Sequence, residues 1–330
     1  MKEDESRASS DSQDLVHEQP TDRSVAFEGE ESSGSQSTSV PTEELGAVCF
    51  LEESEYPWPR RKPQFVRFTR AQRLMHLAVM TSFLGLALTG LPIKFSDSEI
   101  VVSLAHYVPI RALGLIHRIC AIVTFSYFLA HLGYLGWRVV TGKTAGMFWG
   151  PDSMVPQPKD LRDLVDQFRW FLFKGPKPRF GRWTYWEKFD YWAVFWGVTM
   201  IGSSGLLLWF PSFFAKWFPG WVFNLATIIH SEEALLAMGF IFTIHFFNTH
   251  MRPNKFPLDL VIFTGRMSEQ YFREEHPEEF RRLVTSGEFR RKIAPEVTGD
   301  MLLVYRLVAW TGFLLGLGAI VLIAAAWILR

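Results

Sequence analysis

Residues 221–248 read WVFNLATIIHSEEALLAMGFIFTIHFFN. The stretch has no lysine, arginine or aspartate and is apolar except for Asn224, Asn248 and a few hydroxyls, with His230, Glu232, Glu233 and His245 set inside it. As a helix it is long enough to cross the hydrocarbon core of a bilayer. Titratable groups at that depth are costly unless they have partners, so the segment predicts both a membrane span and a functional site.

Four more runs on either side are uncharged and about as long as a span requires: Leu74–Leu91, Ile119–Trp137, Tyr191–Phe210 and Leu307–Leu329. Pro211 and Pro219, within WFPSFFAKWFPGW, mark an interfacial turn between the third and fourth spans. The prediction is an all-α polytopic membrane protein: a four-helix bundle over 57–265, a charged helical segment over 266–300 and a fifth transmembrane helix over 301–330.

Composition agrees, since 48% of the 330 residues are hydrophobic and 30 are Phe and 13 Trp. The net charge of zero hides an asymmetry. Residues 1–56 carry fifteen acidic and three basic side chains, a net of −12, which leaves +12 for 57–330. The acidic stretch is poor in apolar residues and predicts a disordered cytoplasmic tail with no signal-peptide pattern. Two cysteines, Cys49 and Cys120, exclude a zinc ribbon, an iron–sulfur cradle, a CxxCH haem attachment and a disulfide scaffold.

Basic residues set the expected orientation. Arg60 to Arg73 precede the first span and ten Lys and Arg occupy 138–188, whereas the opposite side has only Lys94, Arg111, Arg118 and Lys216. The N-terminus is therefore expected in the cytoplasm and the C-terminus outside. In 159–173, Leu161, Leu164, Val165, Phe168 and Leu172 recur at helical spacing opposite Arg162, Asp163 and Asp166, predicting a surface helix. The charged stretch Glu269–Lys292 is expected in water or against a partner.

Six of nine histidines fall in or at the ends of spans: His76, His117, His131, His230, His245 and His250. His117 and His131 are 14 apart, within about 40° of one face and about 21 Å along the axis. His230 and His245 are 15 apart, within about 60° and about 22 Å. The second and fourth spans run the same way, so His117 meets His230 near the outer surface. His131 and His245 share the inner level, where the oppositely running first span also places His76. His250, about 200° from His230, is expected on another face. Facing imidazoles at two depths suit two stacked b-type haems, each held by two axial nitrogens, in a four-helix haem-binding bundle. Gly85, Gly90, Gly114, Gly133, Gly136, Gly202, Gly205 and Gly239 are expected to let a flat macrocycle pass.

RFTRAQRLMHLAVMTSFLGLALTG, LIHRICAIVTF and HSEEALLAMGFIFTIHFFNTHMRPNKF resemble the first, second and fourth helices of the membrane cytochrome b (gamma) subunit of respiratory formate dehydrogenases. That family has relatives in thiosulfate-reductase and nickel–iron hydrogenase complexes, and the similarity covers about 64–265. The resemblance implies two haem b groups, with His117 and His230 as outer axial ligands and His76 and His245 as inner ones. The chain departs from the family in a 15-residue separation where 14 is usual, in the additional His131 and His250, in its fifth span and in its acidic tail. His131 with His245 is a rival inner pair, resembling quinol–cytochrome c reductases, and His131 with His250 is a third-haem alternative.

The expected role is electron transfer across a bacterial cytoplasmic membrane between a partner redox subunit, iron–sulfur or multihaem c-type, and menaquinone or ubiquinone, with quinone reduction favoured. Quinol oxidation towards an external c-type cytochrome would use the same parts. His131, His250, Asn248 and the Trp-rich inner loop are quinone-site candidates. Arg70, Arg73, Arg252 and Arg118 are placed to meet haem propionates. Glu232 and Glu233 either handle protons or follow a Ser231 helix cap. A proton-relay transporter or a haem-free anchor is the rival class. No nucleotide loop, nucleophile or nucleic-acid face is present, so substrate chemistry is assigned to partners.

Overall fold

Each uncharged run falls largely within one helix of the computed structural model, which describes residues 63–328. Strand β1 (Gln64–Val66) leads into α1 (Arg70–Lys94), short α2 (Glu99–Ala105) and α3 (Ile110–Val140). Next come α4 (Pro158–Phe171), α5 (Tyr185–Trp209), one-turn α6 (Pro211–Phe214) and α7 (Gly220–Phe240). α7 continues without a break through two π-helical segments, Ile241–His245 and Phe247–Met251. α8 (Val261–Thr264), β2 (Arg266–Ser268), α9 (Glu269–Glu275), α10 (Pro277–Thr285), a 3₁₀ turn (Phe289–Lys292), β3 (Ile293–Ala294) and α11 (Asp300–Ile328) follow. Five helices, α1, α3, α5, α7 with its π extension and α11, are long and apolar enough to cross a membrane, so the protein is all-α and polytopic. The acidic stretch 1–56, with Cys49, lies outside the described residues.

Local sequence sets the helix starts on the side where the strands lie. Thr69 and Gln72 form a reciprocal cap at α1: the Gln72 amide donates to Thr69 Oγ1 at 3.3 Å, and the Thr69 amide to Gln72 Oε1 at 2.9 Å. Thr184 and Glu187 do the same at α5. Pro158, Pro211 and Pro277 sit in first turns, where their missing N–H costs nothing. Gly265 ends α8 with φ +75°, and its carbonyl accepts from the amides of Arg67 and Phe68. A Cβ there would lie 2.7 Å from Phe68 O, so only glycine fits.

α1 packs along α3, and α5 along α7, while the two pairs meet each other far less. The fifth span, α11, closes against α1 and the π segment. There Leu84, Ala87, Leu91, Phe95, Met238, Phe242 and Ala319 form a buried core. Gly312 and Gly316 let Met80, Phe242 and Phe246 approach the α11 backbone.

The stretch Glu269–Lys292, expected in water or on a partner, instead folds into a small subdomain of its own chain. β1 pairs antiparallel with β2 on one side and β3 on the other, with Phe65 opposite Met267 and Ile293. Phe65, Met267, Phe272, Phe280, Leu283 and Phe289 form its apolar core. Its charges pair internally. Glu279 is buried and takes Arg67 at 3.0 Å, Arg182 at 2.8 Å and Lys292 at 3.2 Å, and Arg67 also bonds Glu187 at 3.2 Å. Counting charge along the chain misses this because the partners come from three separate segments.

Candidate functional site

Between the two helix pairs runs a cavity of about 1980 Å³. Its walls are overwhelmingly apolar and aromatic, and all six span histidines line it. Ordinary ligand pockets measure about 300–1,000 Å³, so this space is large enough for more than one group of substantial size.

At one level the rings of His117 and His230 face each other across the cavity, with centres 6.2 Å apart and planes at 68°. A metal–imidazole bond is about 2 Å and the ring centre lies about 1 Å behind the nitrogen, so two axial imidazoles on one metal sit about 6 Å apart. The hydrogen bonds fix the tautomers in the same sense. His230 Nδ1 lies 2.9 Å from the Ile201 carbonyl and must donate to it. His117 Nδ1 lies 2.9 Å from Thr89 Oγ1, whose own proton is given to the Gly85 carbonyl, so this hydroxyl accepts as well. Both Nδ1 atoms therefore carry the hydrogen, and both Nε2 lone pairs are free to ligate.

At the other level His245 Nδ1 lies 2.9 Å from Asp190 Oδ2. A carboxylate accepts, so the hydrogen is again on Nδ1, and Nε2 has no hydrogen-bond partner among the described residues. His76 is within electrostatic range of His245 and packs edge-on against Phe263 at 6.4 Å. Among the described residues, nothing hydrogen-bonds the His76 ring, so both its nitrogens are free.

His131 is placed differently. Its Nε2 is 2.9 Å from Tyr191 Oη, and its ring sits among Tyr134, Tyr191 and Phe195. Among the described residues no hydrogen bond or ring contact joins it to His245. His250 accepts the Asp259 amide on Nδ1 at 3.3 Å and packs against Phe246 and Phe313. It lines the same cavity as His230, contrary to the expectation that it serves another face. The π turns explain this, because each takes up more residues than an α turn and rotates everything after it.

The same turns resolve the 15-residue separation. The Phe246 amide reaches back to Ile241 O and the Arg252 amide to Phe247 O, each five residues away. One inserted residue gives a 15-residue separation the phase that 14 has in an α-helix, within about 40° of one face.

The other residues singled out from sequence have protein neighbours. Gly205 and Gly90 make room for histidine rings: a Cβ would lie 2.9 Å from His230 Cε1 at Gly205 and 3.3 Å from His117 Cε1 at Gly90. Gly85 faces Cys120 and Gly202 faces Phe125, both ordinary helix packing. Arg73 donates to the Phe263 carbonyl and Tyr305, and Arg252 pairs with Glu275. Arg70 is exposed, and Arg118 stacks over Trp209 while lining the cavity. Ser231 caps nothing, because α7 runs straight through it. Glu232 pairs with Lys94 at 2.7 Å, whereas Glu233 lines the cavity.

Asp190 and Thr89 were not singled out from sequence. Asp190 lies one residue before the uncharged run of the third span, which was the available signal. Thr89 had none. Among the described residues no group of three or more His, Cys, Asp or Glu could cage a bare metal ion. His117 and His230 stand instead as a pair of facing imidazoles, one from α3 and one from α7. No protein-family model matches this chain, and no curated protein sequence matches it.

Proposed function

We propose that the chain is a di-haem b-type cytochrome subunit of a respiratory membrane complex, of the kind found as the gamma subunit of formate dehydrogenases. The supporting observation is the His117–His230 pair: rings 6.2 Å apart, each with Nδ1 committed to the protein and Nε2 free. His117 and His230 would hold one haem and His76 and His245 the other. When bound, the two groups would supply one-electron transfer at two depths of the membrane. The chain's own residues orient the imidazoles: Thr89 holds His117, the Ile201 carbonyl holds His230 and Asp190 holds His245.

In this reading the partner is a soluble or peripheral redox subunit, iron–sulfur or multihaem c-type, and the exchangeable substrate is a quinone. The membrane is the bacterial cytoplasmic membrane, with the β1–β3 subdomain on the cytoplasmic side as the positive charge bias requires. His131, hydrogen-bonded through Nε2 to Tyr191, serves as a cavity-wall residue rather than as a ligand. The test is haem content of the purified His76→Ala and His131→Ala proteins. His76→Ala should lose one haem and His131→Ala none. Loss on His131→Ala with retention on His76→Ala would exchange their roles.

A further inference from the structure

Helix α4 turns its polar side inward. Asp160, Asp163 and Gln167 are buried, with Asp160 bonded to Lys188 at 2.8 Å and Asp163 to Lys159 at 2.7 Å. Leu161, Phe168 and Leu172 remain 65%, 60% and 63% exposed, and Phe173 is 97% exposed on a left-handed backbone, φ +56°. On the helix, Leu161, Val165, Phe168 and Leu172 lie within about 60° of one another, with Arg162 and Arg169 about 90° to one side. A soluble surface helix has these faces reversed.

Depth is fixed by the same ion pair. Lys188 belongs to the first turn of span α5, and one turn further on Trp192 Nε1 donates to the Met154 carbonyl at 3.0 Å. α4 is therefore held beside the start of span α5, and Trp192 and Trp196, one and two turns further along that span, are exposed at the open side of the cavity. Arg162, Arg169 and Lys174 are exposed at its rim, where anionic headgroups would meet them.

We propose that this face of α4, extended by Phe171–Phe173, is an interfacial anchor that lies in an anionic phospholipid layer on the side of the β1–β3 subdomain. Burial of the apolar face in the acyl boundary removes it from water, and the paired polar face holds the rest of the loop against the span. The anchor does not depend on whether haem is bound.

The test uses the full chain with Cys49→Ser and Cys120→Ala, spin-labelled at Phe168→Cys, Leu172→Cys or Asp166→Cys, in vesicles of phosphatidylglycerol and phosphatidylcholine. Labels at 168 and 172 should show an oxygen-to-nickel-chelate accessibility ratio at least about threefold above that at 166. Val165→Cys provides a second apolar-face position if either variant is poorly folded. Free access of the nickel chelate at 168 and 172 would overturn the proposal by placing the face in water. Protection from both reagents would overturn it by showing a protein cover, such as a second copy.

Discussion

Gly205 determines where His230 can sit, because a Cβ there would lie 2.9 Å from Cε1 and 3.2 Å from Nδ1 of the ring. Gly205→Ala therefore pushes the imidazole away from Ile201 O and His117. The expected result is destabilisation of about 1–3 kcal/mol, the usual cost of overpacking, and loss of the haem at that level with the other retained. Thermal unfolding and a haem count check both parts. Asp190→Asn keeps the side-chain length but removes the charge behind His245. It should weaken the second site by about 10–100-fold, read as haem lost on dilution, while the His117–His230 site is unaffected. Equal retention at both sites would show that Asp190 is only structural. The histidines themselves were legible in the sequence because six of them fall at membrane depth. Their partners were not, since Thr89, the Ile201 carbonyl and Asp190 come from neighbouring helices whose rotation is set by packing.

The π segments of the fourth span carry a prediction about length. Deleting one residue from an α-helical span turns everything beyond it by about 100°. Deleting Thr243 should instead convert a π turn to an α turn and leave His245 and His250 facing the cavity, with haem content unchanged. Loss of the His245-level haem would contradict this. The 15-residue separation was visible in sequence, but a 3.6-residue period cannot show a wider turn. The β1–β3 subdomain was equally hidden, since three short strands far apart in sequence carry no period of their own. Its stability should depend on acid. Burial alone would raise Glu279, but Arg67, Arg182 and Lys292 outweigh it and hold the carboxyl at about 2, while burial and Arg67 hold His276 at about 4. A lowered histidine contributes stability that is complete above 6.5 and is lost as pH falls towards 4. The lowered carboxylate adds stability present above 4.5 and lost towards 2. Hydrogen exchange of 266–294, corrected for its intrinsic pH dependence, should show protection falling in that order. Glu279→Gln should lower the opening free energy by about 3 kcal/mol at neutral pH, because Arg67, Arg182 and Lys292 lose the buried carboxylate they share and Arg67 keeps only Glu187.

The described residues form two helix pairs around a cavity, a fifth span packed against α1 and the π segment, and a small charged subdomain. The five spans were readable from long apolar runs, because hydrophobic length decides which segments can cross. The separation of the pairs was not readable, since it depends on which faces of α1, α3, α5 and α7 turn inward. It is this separation that brings residues from distant spans to opposite walls at two levels, and the electron-transfer reading rests on it. The decisive measurement is the optical spectrum of the purified full chain, oxidised and dithionite-reduced, with haem counted by pyridine haemochrome. Two b haems per chain, with one lost in His117→Ala or His230→Ala, is the predicted result. A chain produced in haem-sufficient cells that binds none, or that keeps both after His117→Ala and His230→Ala, would contradict it.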